Sequence, residues 1–237
     1  RGFTAFGKEI HLAVAIHGGR REVAADAFLP DHRACAGLVT REHAAVTQGV
    51  QVRRDEEERR LAGTSLALLP RDPLNIFYIG FNVNVPPFDN EKIRQAFALA
   101  IDRSRIVSEY YPEGSEVATV FVPPALKPGW SDVNPWYEYN QEQAKALLAE
   151  AGYADGLEVD LSYRNVVRGY LPSPDKVAQE LQAQLAEVGV TVKLKEMESA
   201  TFIDATSAGQ EAFYLLGWGA DYPDATNFYD YHFANDN

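Results

Sequence analysis

Residues 157–194 read LEVDLSYRNVVRGYLPSPDKVAQELQAQLAEVGVTVKL, and this stretch decides the fold. Leu157, Val159, Leu161 and Tyr163 alternate as in a strand with one buried face. Ser173-Pro174 then sets an N-cap residue before a proline at the first helical position. Val177, Leu181, Leu185 and Val188 recur at helical spacing until Gly189, and Val190, Val192 and Leu194 alternate again. Strand, helix and strand with a short return make a βαβ unit, so the chain is α/β with at least two parallel strands and a right-handed crossover.

The flanks add elements to this unit. Downstream, the apolar run Ala212 to Leu216 reads as a strand that ends in the turn Gly217-Trp218-Gly219-Ala220-Asp221-Tyr222-Pro223-Asp224. Upstream, Asn75 to Val83 is rich in β-branched and aromatic residues and is stopped by Pro86-Pro87. Asp89 or Asn90 caps a helix with Ile93, Ala96, Phe97, Ala100 and Ile101 on one face, and Asp102 caps a continuation through Tyr110. Val117 to Val122 reads as extended, followed by a loop rich in Pro, Gly and Trp through Trp136. Asn140 with Gln143 resembles a capping box and opens a helix that Gly152 ends.

Composition changes near Pro70. Residues 1–70 carry 10 Lys plus Arg against 9 Asp plus Glu and no Tyr, Trp or Asn, whereas the remainder carries 12 against 25 and all three tryptophans. That shift predicts a boundary between residues 63 and 75. In the first part Ile10, Leu12, Val14 and Ile16 alternate, Gly18-Gly19 makes a turn, Ala24 to Leu29 is a candidate strand, and Asp55 to Leu61 a charged helix. The net charge of −12 argues against nucleic-acid and anionic membrane partners. Cys35 stands alone, which excludes an internal disulfide and a multi-thiolate zinc site. No run of about 18 apolar residues is present, so no helical membrane span is expected.

The candidate chemistry lies in two strand-exit loops, where α/β proteins tend to hold ligands. Arg168-Gly169-Tyr170 follows the first strand of the βαβ unit, and Trp218 with Asp221 follows the 212–216 run. A guanidinium fork matches a planar α-carboxylate, and one carboxylate satisfies a compact ammonium. Arg168 and Asp221 therefore suit a short zwitterion, with Trp218 and Tyr170 to cover it; each charge-assisted bond contributes roughly 1.5–3 kcal/mol. The plain alternative is that both ions are surface charges on loops. Two further readings stay open: oxygen ligation of a metal by Asp221, Asp224, Asn227 and Asp230, and hydrolysis by Asp221 paired with Asp224 or Glu211. Histidines 11, 17, 32, 43 and 232 show no ligand spacing, and no cofactor or catalytic residue is expected.

Four segments together resemble the extracellular solute-binding proteins of family 5: Tyr78 to Asn82; Pro87-Phe88-Asp89 running into Ile93 to Ala96 and Ala100 to Asp102; Ala144-Lys145 to Ala151-Gly152-Tyr153; and Trp218 to Tyr222. The likeness covers about residues 66–234, and is fainter before it, through Gly18-Gly19-Arg20, Phe28 to Asp31 and Glu42. It implies a periplasmic-binding-protein-like (class II) fold in which residues 71–237 are most of a second lobe, with a mixed sheet, and residues 1–70 are remnant strands of the first. Family members are longer, so it also implies that an N-terminal lobe and a final returning stretch are missing here. The implied function is non-enzymatic: capture of short peptides, dipeptides first, outside the cytoplasmic membrane (in a periplasm or on a lipid anchor) for the permease subunits of an ABC importer. Nickel complexes and oligosaccharides are the other ligands the resemblance implies. The dipeptide-binding branch is similar at Arg168-x-Tyr170 and at Trp218-x-x-Asp221, which would make Arg168 the carboxylate contact, Asp221 the ammonium contact, and Trp218 and Tyr170 the pocket lining.

Overall fold

The seven residues Asn75–Phe81, five of them β-branched or aromatic, form the strand that organises the sheet. The computed structural model describes residues 16–17, 60, 62, 74–112, 114–131 and 137–233. The other readings made for the first part of the chain lie outside these residues. In chain order the elements are β1 (Ile16–His17), β2 (Asn75–Phe81), α1 (Glu91–Ala100), α2 (Arg103–Tyr110), β3 (Glu116–Val117) and α3 (Gln141–Glu150). They continue with β4 (Leu157–Tyr163), α4 (Pro174–Ala186), β5 (Val190–Glu196), α5 (Ser199–Ser207), β6 (Phe213–Gly219) and α6 (Thr226–Phe233).

The six strands lie in the order β3-β1-β2-β6-β4-β5. β4 runs parallel to β5 over its full length, from Leu157 opposite Val190 to Tyr163 opposite Glu196, as the βαβ pattern requires. β6 is parallel to β4 and antiparallel to β2, so the sheet is mixed and changes direction at β6. Ile16 pairs with both Phe77 and Val117, which brings a strand from before residue 70 into this sheet.

Each face of the sheet is covered. Phe77, Ile79, Phe81, Phe213 and Leu215 point to the face packed by α1 to α4, where Phe97, Ile93, Leu181 and Leu185 are fully buried. Phe81, Phe88, Phe97 and Phe213 pack as a ring cluster with centroids 4.8–5.7 Å apart. On the other face Ile76, Tyr78 and Tyr214 meet Phe121, Val122, Phe202 of α5 and Phe228 of α6.

Local signals hold at most helix starts. The Asn90 side chain accepts from Lys92 N, Asp102 from Arg105 N and Asn140 from Gln143 N. Ser173 departs from expectation: it occupies the N-cap position of α4 without a capping bond, and its buried Oγ has no partner among the described residues. The extended reading of 117–122 shrinks to Glu116–Val117, because Ala118, Phe121 and Val122 turn under the sheet and are buried there. The last strand outruns its expected stop at Leu216. Gly217 and Gly219 stay paired with Phe77 and Asn75, so β2 supplies the ladder that the glycines alone would not favour.

Burial shapes the alkaline limit of the fold. Desolvation holds the phenols of Tyr78 and Tyr111 well above their ordinary value and pushes Tyr214 up to about 12. The neutral rings contribute their full stability below pH ~10, where unfolded tyrosine ionises, and that contribution is lost as pH rises through the folded values. For Tyr214 the window runs from about 10 to about 12 and corresponds to roughly 2–3 kcal/mol. A titration followed by tyrosinate absorbance and circular dichroism will show these phenols ionising together with unfolding; smooth independent ionisation with the fold intact would contradict the burial.

Candidate functional site

Because β4 and β6 are parallel neighbours, the loops that leave their carboxyl ends emerge at one edge of the sheet. This is also where the sheet changes direction, the position at which open α/β sheets form a ligand crevice. Ser162, next to the end of β4, is level with Tyr214, so the second half of β6 projects beyond β4. The loop after β4 folds back beside that projection.

Three bonds shape this loop. Arg168 and Leu171 exchange both backbone bonds at 3.1 Å, closing a tight turn. The buried Tyr111 hydroxyl donates to the Tyr170 carbonyl at 3.0 Å. Arg164 Nη2 donates to the Tyr170 hydroxyl at 2.9 Å. The Tyr170 ring packs against Gly217, whose missing side chain leaves room for it. Arg168 itself is exposed, and among the described residues its guanidinium has no ion-pair or hydrogen-bond partner.

On β6, Trp218 is a strand residue rather than a loop residue. It points to the face opposite the one Tyr170 covers, since neighbours on a strand alternate. Its ring stacks on Tyr231 at 4.2 Å and its Nε1 donates to Asn227 Oδ1 at 2.8 Å. The same Asn227 oxygen accepts the backbone N–H of Asp221 at 3.1 Å. Asn227 thus fixes both Trp218 and the start of the Asp221 loop, while the Asp221 carboxylate is exposed and, among the described residues, unpaired. Arg168 and Asp221 therefore share one sheet edge, whereas Tyr170 and Trp218 brace opposite sides of β6.

The two competing chemistries lose their residues to other tasks. Asp224 caps α6 through Thr226 N at 2.9 Å, a bond that holds its carboxyl below the usual range. Glu211 precedes β6 and Asp221 follows it, so about seven strand residues, roughly 23 Å, separate them. Paired carboxylate hydrolysis needs roughly 5–9.5 Å. Glu211 is instead buried, bonded to the buried Ser162 and paired at 2.9 Å with Lys195, which is exposed. Among the described residues no group of three or more His, Cys, Asp and Glu is placed to hold a metal ion.

Sequence reasoning singled out neither Arg164 nor Ser199, which bond each other at the mouth of this edge. A cation directly after a strand was a legible signal for Arg164. Ser199 had none, because SATFIDATS lacks a clear apolar stripe and α5 becomes a helix by packing Phe202 under the sheet and by the Glu198 cap. A depression of about 390 Å³ lined by Lys145, Tyr153, Gly156 and Gly189 lies at the opposite edge, away from these loops.

The family model described as "Bacterial extracellular solute-binding proteins, family 5 Middle" matches residues 44–237. The chain belongs to this family. Over 163 residues it is 36% identical to the heme-binding protein A of Haemophilus influenzae, covering 68% of the chain and 29% of that protein. Over 165 residues it is 33% identical to the dipeptide-binding protein of Escherichia coli, covering 70% and 31%. Among solved structures, the dipeptide binding protein of Pseudoalteromonas sp. SM9913 in complex with Met-Leu superposes with a TM-score of 0.60 at 34% identity, covering 70% of the chain and 34% of that structure. The mixed α/β sheet is therefore the family 5 fold, and the chain spans about a third of the length of the relatives it matches. Members of the family are extracellular binding proteins. No described helix of this chain is long and apolar enough to cross a membrane.

Proposed function

We propose that this family 5 chain is part of a non-enzymatic binding protein that captures a short peptide, a dipeptide in the first instance, outside the cytoplasmic membrane and hands it to the permease of an ABC importer. The observation that carries the reading is the guanidinium of Arg168 and the carboxylate of Asp221, both exposed and without an ion-pair partner among the described residues, at one carboxyl edge of the sheet. They are complementary to the two ends of a zwitterion, and each end makes charge-assisted bonds. Tyr170, held on Gly217, and Trp218, held by Asn227, supply apolar surface beside them. In this reading residues 71–237 are second-lobe structure, and the strand at Ile16–His17 is the contribution of the segment before residue 70.

Calorimetric titration with dipeptides tests it. Arg168→Ala and Asp221→Asn should each weaken binding about 10- to 100-fold, the loss expected for a charge-assisted contact, without any product release. The heme-binding relative makes hemin the competitor to run in the same series. Heat with hemin alone, or dipeptide heat indifferent to both substitutions, would sink the reading.

A further inference from the structure

Arg164 is the first residue beyond β4, half-buried at the same sheet edge. Its Nη2 donates to the Tyr170 hydroxyl and its Nη1 to Ser199 Oγ, both at 2.9 Å, and its guanidinium lies 6.0 Å from the centre of the Phe202 ring. Both hydrogen-bond partners are neutral. Among the described residues no carboxylate stands within ion-pair distance of Arg164. Glu198, beside Ser199 in sequence, commits its Oε2 to the N–H groups of Ala200 and Thr201 at 2.8 and 3.0 Å.

The hydrogen-bond inventory is one-sided. A guanidinium has five N–H donors, and two are used here. Each hydroxyl oxygen acts as an acceptor towards Arg164, so each keeps its own hydrogen to donate, and no acceptor for either is found among the described residues. Arg164, Tyr170 and Ser199 are each partly exposed, so the cluster is open to solvent and to a ligand. Among the described residues, Arg164, Tyr170 and Ser199 are thus a donor-rich cluster with one positive charge and no carboxylate paired to it. A charge-assisted bond onto Tyr170 also polarises its O–H and strengthens it as a donor.

We propose that this cluster is a second anion site, that it takes a carboxylate of the ligand other than the α-carboxylate, and that the favoured substrates are short peptides with an acidic side chain. The proposal rests on the peptide reading above. There Asp221 faces the ammonium and Arg168 the α-carboxylate, which leaves the positive charge of Arg164 unmatched by a simple zwitterion. A planar carboxylate fits the free side of a guanidinium fork better than a spherical anion does.

Calorimetry with Ala-Ala and Ala-Glu on the wild-type chain and on Arg164→Gln decides the matter. Ala-Glu should bind about tenfold or more tightly than Ala-Ala, and in Arg164→Gln the ratio should fall to about two, since one charge-assisted contact is worth about a decade. A wild-type ratio near one, or a ratio undiminished in Arg164→Gln, overturns the proposal. Should that variant fail to fold, Tyr170→Phe combined with Ser199→Ala removes both hydroxyl donors and keeps the cation. The ratio must then drop about threefold or more, or the site is refuted. If neither peptide binds the wild type, hydrogen exchange with glutarate separates the two ideas. Glutarate-dependent protection of 164–171 and 197–203 that is lost in Arg164→Gln keeps the anion site and rejects the peptide reading. Absence of protection rejects both.

Discussion

Phe213→Ala will destabilise the protein by about 3–5 kcal/mol, the range for truncating a fully buried aromatic ring. Phe213 is 0% exposed and lies at the start of β6, stacked on Phe81 at 5.3 Å and edge-on to Phe97 at 5.4 Å, with Phe88 5.5 Å away. The substitution therefore removes one ring of a mutually packed four-ring cluster that joins β2, β6, α1 and the loop between β2 and α1. These neighbours belong to different elements and cannot collapse together without shifting the sheet on the helix, so the cavity persists and adds to the lost transfer energy. A domain of this size loses roughly 2–4 °C of Tm per kcal/mol, so a drop of roughly 10 °C is expected in a thermal melt. Val167→Ala, at an exposed position in the loop after β4, is the control and should stay within about 0.5 kcal/mol. Equal melting temperatures for the two variants would show that the ring cluster is not the centre of the core.

Gly217→Ala should both destabilise the fold by about 1–3 kcal/mol, as overpacking does, and weaken peptide binding. A Cβ at this position would collide with ring atoms Cδ2 and Cγ of Tyr170 and stand 2.6 Å from the backbone carbonyl of Ile76. The ring can be expelled, but the carbonyl belongs to β2 and can retreat only if the β2–β6 ladder opens. Expelling the ring breaks the bond from Arg164 and releases the loop that presents Arg168. Combining Gly217→Ala with Tyr170→Ala separates these effects. Stability should recover by about 1 kcal/mol relative to additivity, since one of the two clashes is gone, while affinity should not recover. Strict additivity in stability would mean that Tyr170 does not lie on Gly217.

Much of this organisation was legible because its causes are local. The alternation of Leu157 to Tyr163, Pro174 at the helix start, Gly189 at its end and the second alternation at Val190 were enough for a parallel pair, and β4 and β5 do pair in parallel. The Asn90, Asp102 and Asn140 caps act within three residues of themselves, so their side chains could be read directly. Helix α5 escaped because its buried face is defined by Phe202 meeting the sheet, a contact absent from the local pattern. The stop of β6 was misplaced for a similar reason. Glycines at 217 and 219 weaken a strand in isolation, but here β2 pairs with them and a ring from a distant loop fills the space.

For the site, residue types and their loops could be read from the chain, since Arg168 and Asp221 each follow a strand and carry the charges a zwitterion requires. Their meeting at one edge depends on β6 inserting beside β4, a non-local pairing for which spacing along the chain provides no rule. The same pairing brings Tyr170 onto Gly217, on the side of β6 opposite Trp218. Backbone propensity and capping act over one to four residues and are written in order along the chain. Which donors keep spare hydrogens among the described residues, as at Arg164, is settled only when segments 35 residues apart, such as Arg164 and Ser199, have packed and used their partners.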